Sequence, residues 1–243
     1  MTDSKTISGQ SQKNQNDLVA SYLQVRKFIG WIGISLPILL LVFSFGRGDG
    51  GPKDSISAYF YSGGREILVG SLFAIGVFLY AYKGYDKDLR RPTDKLVSRL
   101  AAIGAVGIAF SPMGWEAAGL LEKPDDTWVQ AIFPSASATL HGLFAVLFFA
   151  SIATFCLINF CRCEEGSEPD GEKLFRNLIF RTLGVIIILC TIGFVAGSLL
   201  DIKGPLVFWA EAIAVWAFGL SWIIKGKAIE GTINRVRSLR TQK

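Results

Sequence analysis

The chain has 243 residues, 51% hydrophobic and 19% charged, with a formal net charge of +5 and a mean hydropathy of +0.40. A soluble domain carries about one charged residue in four, and here the charges are also clustered, leaving long stretches with none. That pattern excludes disordered, collagen-like and ordinary soluble enzyme classes and points to an integral membrane protein.

Residues 1–26 are polar and rich in Ser, Gln and Asn, which predicts a disordered tail. Their polarity argues against a cleaved signal peptide, whose apolar core comes earlier. Six apolar windows follow, at 28–45, 67–82, 100–114, 136–160, 182–200 and 206–224. A helix needs about 20 residues to cross the hydrocarbon core. Four windows reach or approach that length. The second and third fall short but can be lengthened by residues 59–64 and 96–99, with Arg99 snorkelling to the interface. Open strands cannot leave their backbone groups unpaired in lipid, and a barrel shows alternation rather than continuous apolar runs.

The predicted fold is therefore all-α: a polytopic membrane protein with six transmembrane helices in one bundle over 27–225, followed by a basic tail at 226–243. Pro37 predicts a kink in the first helix. Gly193-x-x-x-Gly197 is the clearest predicted helix seam, supported by Gly70-x-x-x-Ala74 and by Ala101, Gly104 and Ala105. These small residues read as intramolecular packing; the same faces leave a homo-oligomer open, but none is predicted from them.

Of the 25 Lys and Arg residues, 20 fall in the two tails and the second and fourth loops, and 5 in the first, third and fifth loops. The positive-inside rule then places both termini in the cytoplasm, and the expected location is a bacterial inner (plasma) membrane. The same distribution accounts for the basic balance without nucleic acid, although the C-terminal run also suits anionic lipid head groups. The cysteines, Cys156, Cys161, Cys163 and Cys190, lie outside the outer loops, so no disulfide framework is implied. Cys161-x-Cys163 lacks a second pair or a nearby histidine and is not a zinc motif. No metal site or cofactor motif is predicted.

Ionisable groups inside a bilayer cost several kcal/mol and are functional hypotheses by default. His141, the only histidine, lies near the start of the fourth window, and Glu211 near the start of the sixth. Both windows begin on the outer side, so both groups are expected roughly 7–8 Å inside the outer boundary. Arg65 and Glu66 open the second helix, Asp201 ends the fifth, Ser111 ends the third, and Ser55, Ser57 and Tyr59 lie just above in the first loop. The agreement in depth predicts a polar, outward-facing pocket centred on Glu211 and His141. The competing interpretation is a structural pair that fixes helix packing. A histidine with a carboxylate also suits general acid–base work, with Ser55, Ser57 or Ser111 as nucleophile, though no nucleophile-elbow motif is present.

Asp54-Ser55-Ile56-Ser57-Ala58-Tyr59 leads into Arg65-Glu66 and ends the second window at Tyr82-Lys83-Gly84-Tyr85. Later come Leu140-His141-Gly142-Leu143-Phe144-Ala145 and Phe208-Trp209-Ala210-Glu211. With these segments the chain resembles a bacterial family of uncharacterised six-helix membrane proteins. More distantly it resembles the DRAM superfamily, with its Sfk-type and GPI-lipid-remodelling members. In those relatives an Ile-Ser segment precedes the second helix and a histidine opens the fourth, matched here by Ser55–Ser57 and His141. The glycine that often follows the Ile-Ser segment is replaced by Ala58-Tyr59. The resemblance implies a six-helix fold over about residues 28–225 and roles in lipid remodelling, scaffolding or trafficking.

The leading expectation is a protein that binds membrane lipids or a small amphiphile in a pocket facing the outer leaflet. The alternatives are a membrane-embedded lipid-modifying enzyme, a transporter or channel subunit, and a scaffold.

Overall fold

The computed structural model describes residues 2–48, 51–82, 84, 92–134, 136–163, 169–202 and 204–241, with side chains described between 24 and 226. Among them the fold is entirely helical: α1 (Thr2–Gly46), a 3₁₀ turn (Ser57–Tyr61), α2 (Arg65–Ala81), α3 (Asp94–Phe110), a short α4 (Trp128–Ile132), α5 (Ser137–Thr154) continued by a π-turn (Phe155–Asn159), α6 (Gly171–Leu199) and α7 (Leu206–Thr241). Four segments are long and apolar enough to cross a membrane: Gln24–Gly46, Ser137–Asn159, Gly171–Leu199 and Leu206–Gly226. α2 and α3 have 17 residues each, a length of about 25 Å.

Several boundaries differ from expectation for identifiable reasons. Residues 59–64 do not lengthen α2. They form the 3₁₀ turn instead, because Ser62 turns extended and the Gly63-Gly64 pair separates the two elements. α3 does begin upstream of its apolar window, at a Thr93 cap whose hydroxyl accepts the Leu96 N–H at 3.2 Å. It stops at Phe110 because Pro112 holds Ser111 in an extended conformation. At the N-terminus, where composition predicts a disordered tail, α1 continues back to Thr2. No proline precedes Pro37 in the chain, so no strong helix breaker ends it earlier.

The long helices close into a ring in the order α1, α2, α3, α5, α6, α7, each packing against its two neighbours and α7 returning to α1. The α7 window is 56% buried against 28% for α6, which makes α6 peripheral. Its outward face carries Phe175, Leu178, Leu189 and Ile192, all exposed. An apolar surface of that extent requires a non-aqueous surrounding.

The close helix crossing is Gly30 on α1 against Gly219 on α7. A Cβ on Gly30 would stand 2.6 Å from the Gly219 carbonyl oxygen, and one on Gly219 2.7 Å from the Gly30 oxygen. Backbone meets backbone here, and only glycine permits it. The Gly104 and Ala105 seam on α3 does pack tightly, with Phe144 and Phe148 of α5 pressed onto Gly104. The predicted Gly193/Gly197 seam is only half used: Gly197 meets Val207, whereas Gly193 faces open space, as does Gly70. Around Pro37, which leaves the Gly33 carbonyl without its helical donor, the Trp216 indole of α7 donates to the neighbouring Ile34 carbonyl at 3.1 Å.

Gly30→Ala is therefore expected to lower stability by about 2–3 kcal/mol through overpacking, and Gly193→Ala to change it by less than about 0.5 kcal/mol. Paired thermal melts in detergent check this; equal losses would contradict the α1–α7 crossing.

Candidate functional site

The two ends of the bundle are chemically distinct. One carries the chain's two tails (the tail end), and the other carries the loop from α1 to α2 (the hairpin end). At the hairpin end, residues 54–57 lie across the start of α7. The Asp54 carbonyl accepts the Phe208 N–H at 2.8 Å, meeting one of the amide groups that a helix start leaves without an internal partner. One turn further along α7, Glu211 Oε2 accepts the Ile56 N–H at 2.6 Å, and the same carboxylate accepts the Ser57 N–H. The loop gives a carbonyl to α7, and α7 returns a carboxylate to the loop.

Ser57 opens the 3₁₀ turn, and its hydroxyl lies 3.0 Å from His141 Nε2 on α5. The other ring nitrogen, Nδ1, lies 2.6 Å from the Ser111 carbonyl. A carbonyl only accepts, so Nδ1 carries the hydrogen, and in the neutral imidazole Nε2 accepts from the Ser57 hydroxyl. The Ser111 carbonyl is available because Pro112 has ended α3. One residue, Ser57, thus joins two helices, with its backbone N–H bound to Glu211 and its side chain to His141. The two ionisable groups make no direct bond to each other.

The other predicted residues divide into two groups. Ser55 belongs to the cluster: its buried hydroxyl accepts the Ala58 N–H at 3.0 Å and donates to Met113 Sδ at 3.4 Å. Tyr59 packs beneath it, fully buried, with its hydroxyl sharing a 2.5 Å hydrogen bond with Ser44 and its ring against Phe43 and Phe208. It braces the loop and presents no exposed surface. Arg65, Glu66 and Asp201 do not join Ser57, His141 or Glu211. Arg65 lies exposed with its guanidinium 4.2 Å from the Phe60 ring centre. Glu66 is exposed on the first turn of α2. Asp201 stands exposed in the α6–α7 turn with φ of 51°.

Three contributors were not singled out from the sequence in these roles. The Ser111 carbonyl was signalled only indirectly, by Pro112 behind it. Tyr61 and Gln130 form an outer brace: the Tyr61 hydroxyl donates to the Met113 carbonyl at 2.6 Å and accepts from Gln130 Nε2 at 3.2 Å. Burial pushes the Tyr61 phenol above its ordinary pKa, so it keeps the proton it donates. Gln130 is set by a capping box with Thr127 at the start of α4.

No family model, curated protein or solved structure matches this chain. The class of protein defined by the fold is, among the described residues, an all-helical chain with four helices long and apolar enough to cross a membrane, and its distinguishing feature is the Ser57–His141–Glu211 arrangement.

Removing the carboxylate strands two buried amides, at a cost of about 1–3 kcal/mol for each hydrogen bond lost to a charged acceptor. Glu211→Ala is expected to raise hydrogen exchange at Ile56 and Ser57 at least tenfold, with the tail end unchanged. Unaltered exchange at those two amides would show that the carboxylate does not hold the loop.

Proposed function

We propose that this chain is a six-span inner-membrane protein with both termini in the cytoplasm, and that its hairpin end binds a lipid or small amphiphile at Ser57 and His141. The two short helices support the six-span reading, since about 17 residues is the lower limit for crossing and thin or tilted local bilayers accommodate them. The Lys and Arg distribution supports the orientation. Alkaline phosphatase fused after Gly119 is expected to be active, and green fluorescent protein fused after Lys243 to fluoresce. Activity at only one of these positions contradicts the topology.

The observation that carries the ligand reading is that side chains from two separate spans, together with a backbone carbonyl, fix one half-exposed serine at the end of the bundle. The Ser57 oxygen gives its proton to His141 and keeps lone pairs for an incoming donor. Exposed apolar side chains of the same helix ends, Leu143 on α5 and Leu206 and Trp209 on α7, offer a surface for an acyl chain. A polar head and an apolar tail are matched in one place.

A second reading is favoured by one feature of this geometry. A serine 3.0 Å from a histidine whose far nitrogen is fixed by an acceptor is the arrangement of a nucleophile with its base and orienting group. Under this reading Ser57 is the nucleophile and His141 the base in an acyl transfer. Glu211 then holds the loop and takes no part in proton transfer.

The two readings separate experimentally. Mass spectrometry of small molecules co-purifying in nanodiscs is expected to show a species enriched with wild type and depleted at least fivefold with His141→Ala. Identical profiles remove the ligand reading. A fluorophosphonate probe that labels wild type but not Ser57→Ala establishes the nucleophile, and absence of labelling leaves binding as the function.

A further inference from the structure

The tail end carries a second set of polar side chains that the hairpin-end site does not use. Lys173, in the first turn of α6, reaches back so that its Nζ donates to the Phe160 carbonyl at 2.9 Å. Lys225, in the last turn of the apolar part of α7, places its Nζ 5.2 Å from the centre of the Phe160 ring. Two ammonium groups from different helices are therefore held on one residue, both half-buried. The Lys173 charge is close enough to be felt at Lys225, where Arg26 adds a third positive charge.

Among the described residues neither lysine has a carboxylate in ion-pair reach. Asp94 is the acidic neighbour of Lys225, but its two oxygens are already engaged, one by the Tyr82 hydroxyl at 3.2 Å and the other by Asn159 Nδ2 at 2.7 Å. Asp170 uses an oxygen to cap α6 on the Lys173 N–H at 2.7 Å. Arg26, 2% exposed, lies against Tyr82. Arg181 approaches from the α6 side, beside Cys161. The indole of Trp222, packed 5.6 Å from the Phe160 ring, is a buried donor without an acceptor among the described residues.

Like charges held on one residue and partly desolvated repel, and an anion between them relieves that repulsion. The anion must offer more than one acceptor oxygen, because two ammonium groups approach from different helices. Both lysines also mark the ends of apolar spans, Gly171–Leu199 and Leu206–Gly226, which is the level of lipid head groups.

We propose that the tail end holds a phosphate group between the ammonium groups of Lys173 and Lys225. Both a lipid head group and free phosphate present this chemistry. The site is independent of the hairpin-end reading and survives its failure.

The test uses the full chain, delipidated in neutral detergent, with native mass spectrometry of phosphatidylglycerol retention and thermal melts in phosphate against chloride at equal ionic strength. Wild type is expected to retain phosphatidylglycerol, and K173Q/K225Q to retain it about thirtyfold more weakly, from two lost lysine contacts. K173R/K225R is expected to retain it, which separates charge from fold. Lipid retention without a response to phosphate assigns the site to a lipid head group. A melting temperature raised by phosphate in wild type and not in K173Q/K225Q assigns it to free phosphate. Wild type that responds to neither, or a folded double glutamine variant that matches wild type in both, overturns the proposal.

Discussion

A loop that crosses the end of a helical bundle must satisfy its own amides and those of the helix it covers. Here both needs meet in residues 54–57. Asp54 gives its carbonyl to the first turn of α7, and Glu211 on the second turn gives its carboxylate to the amides of Ile56 and Ser57. A carboxylate within a span is costly in lipid, and two charge-assisted hydrogen bonds are what offset that cost. Everything else at this end depends on the anchor. It sets where the 3₁₀ turn begins, which presents the Ser57 hydroxyl to His141 and carries Tyr59 down among Phe43, Ser44 and Phe208.

The tail end is organised differently. A chain of bonds runs from Arg26 through the Tyr82 hydroxyl to Asp94 and Asn159, joining α1, the end of α2, the start of α3 and the π-turn. Trp222 of α7 is its apolar floor, with Tyr82, Phe155 and Phe160 edge-on around the indole. The π-turn contributes here: the extra residue in that turn widens the helix where Asn159 reaches Asp94 and where the Phe160 carbonyl receives Lys173. Aromatic rings bury the stems of cationic side chains while leaving their charges to be met by acceptors, as Tyr82 does for Arg26 and Phe160 for Lys225.

The membrane character and helix content were legible because they depend on composition summed over windows. α5 with its π-turn, α6 and α7 contain their predicted windows almost whole. Element boundaries near glycine and proline were legible only in part: Pro112 ends α3 as its chemistry requires, whereas the Gly63-Gly64 break between the 3₁₀ turn and α2 was passed over because residues 59–64 offered the length that the second window lacked. Helix seams were the least legible. Gly193-x-x-x-Gly197 has the right spacing, yet Gly193 turns outward, because spacing defines a face and says nothing about which neighbour covers it. The Gly30–Gly219 crossing pairs single glycines on distant helices, which no local motif encodes.

The site was legible as depth and not as connection. His141 and Glu211 sit one helical turn or so inside their spans, and that register alone put them at the level of the Ser55–Ser57 loop. Their relation through Ser57 could not be read, since half of it is made by backbone groups that every residue possesses: the amides of Ile56 and Ser57 and the carbonyl of Ser111. This division also constrains function. Glu211 is occupied by amides and His141 by a carbonyl and a hydroxyl, so neither carries an unshared charge into the membrane, and the group left to meet a ligand is the Ser57 oxygen. What this end presents is therefore an oriented hydroxyl beside an imidazole, the feature on which both proposed readings rest. The tail end, with two lysines on one aromatic residue, is suited to an anion.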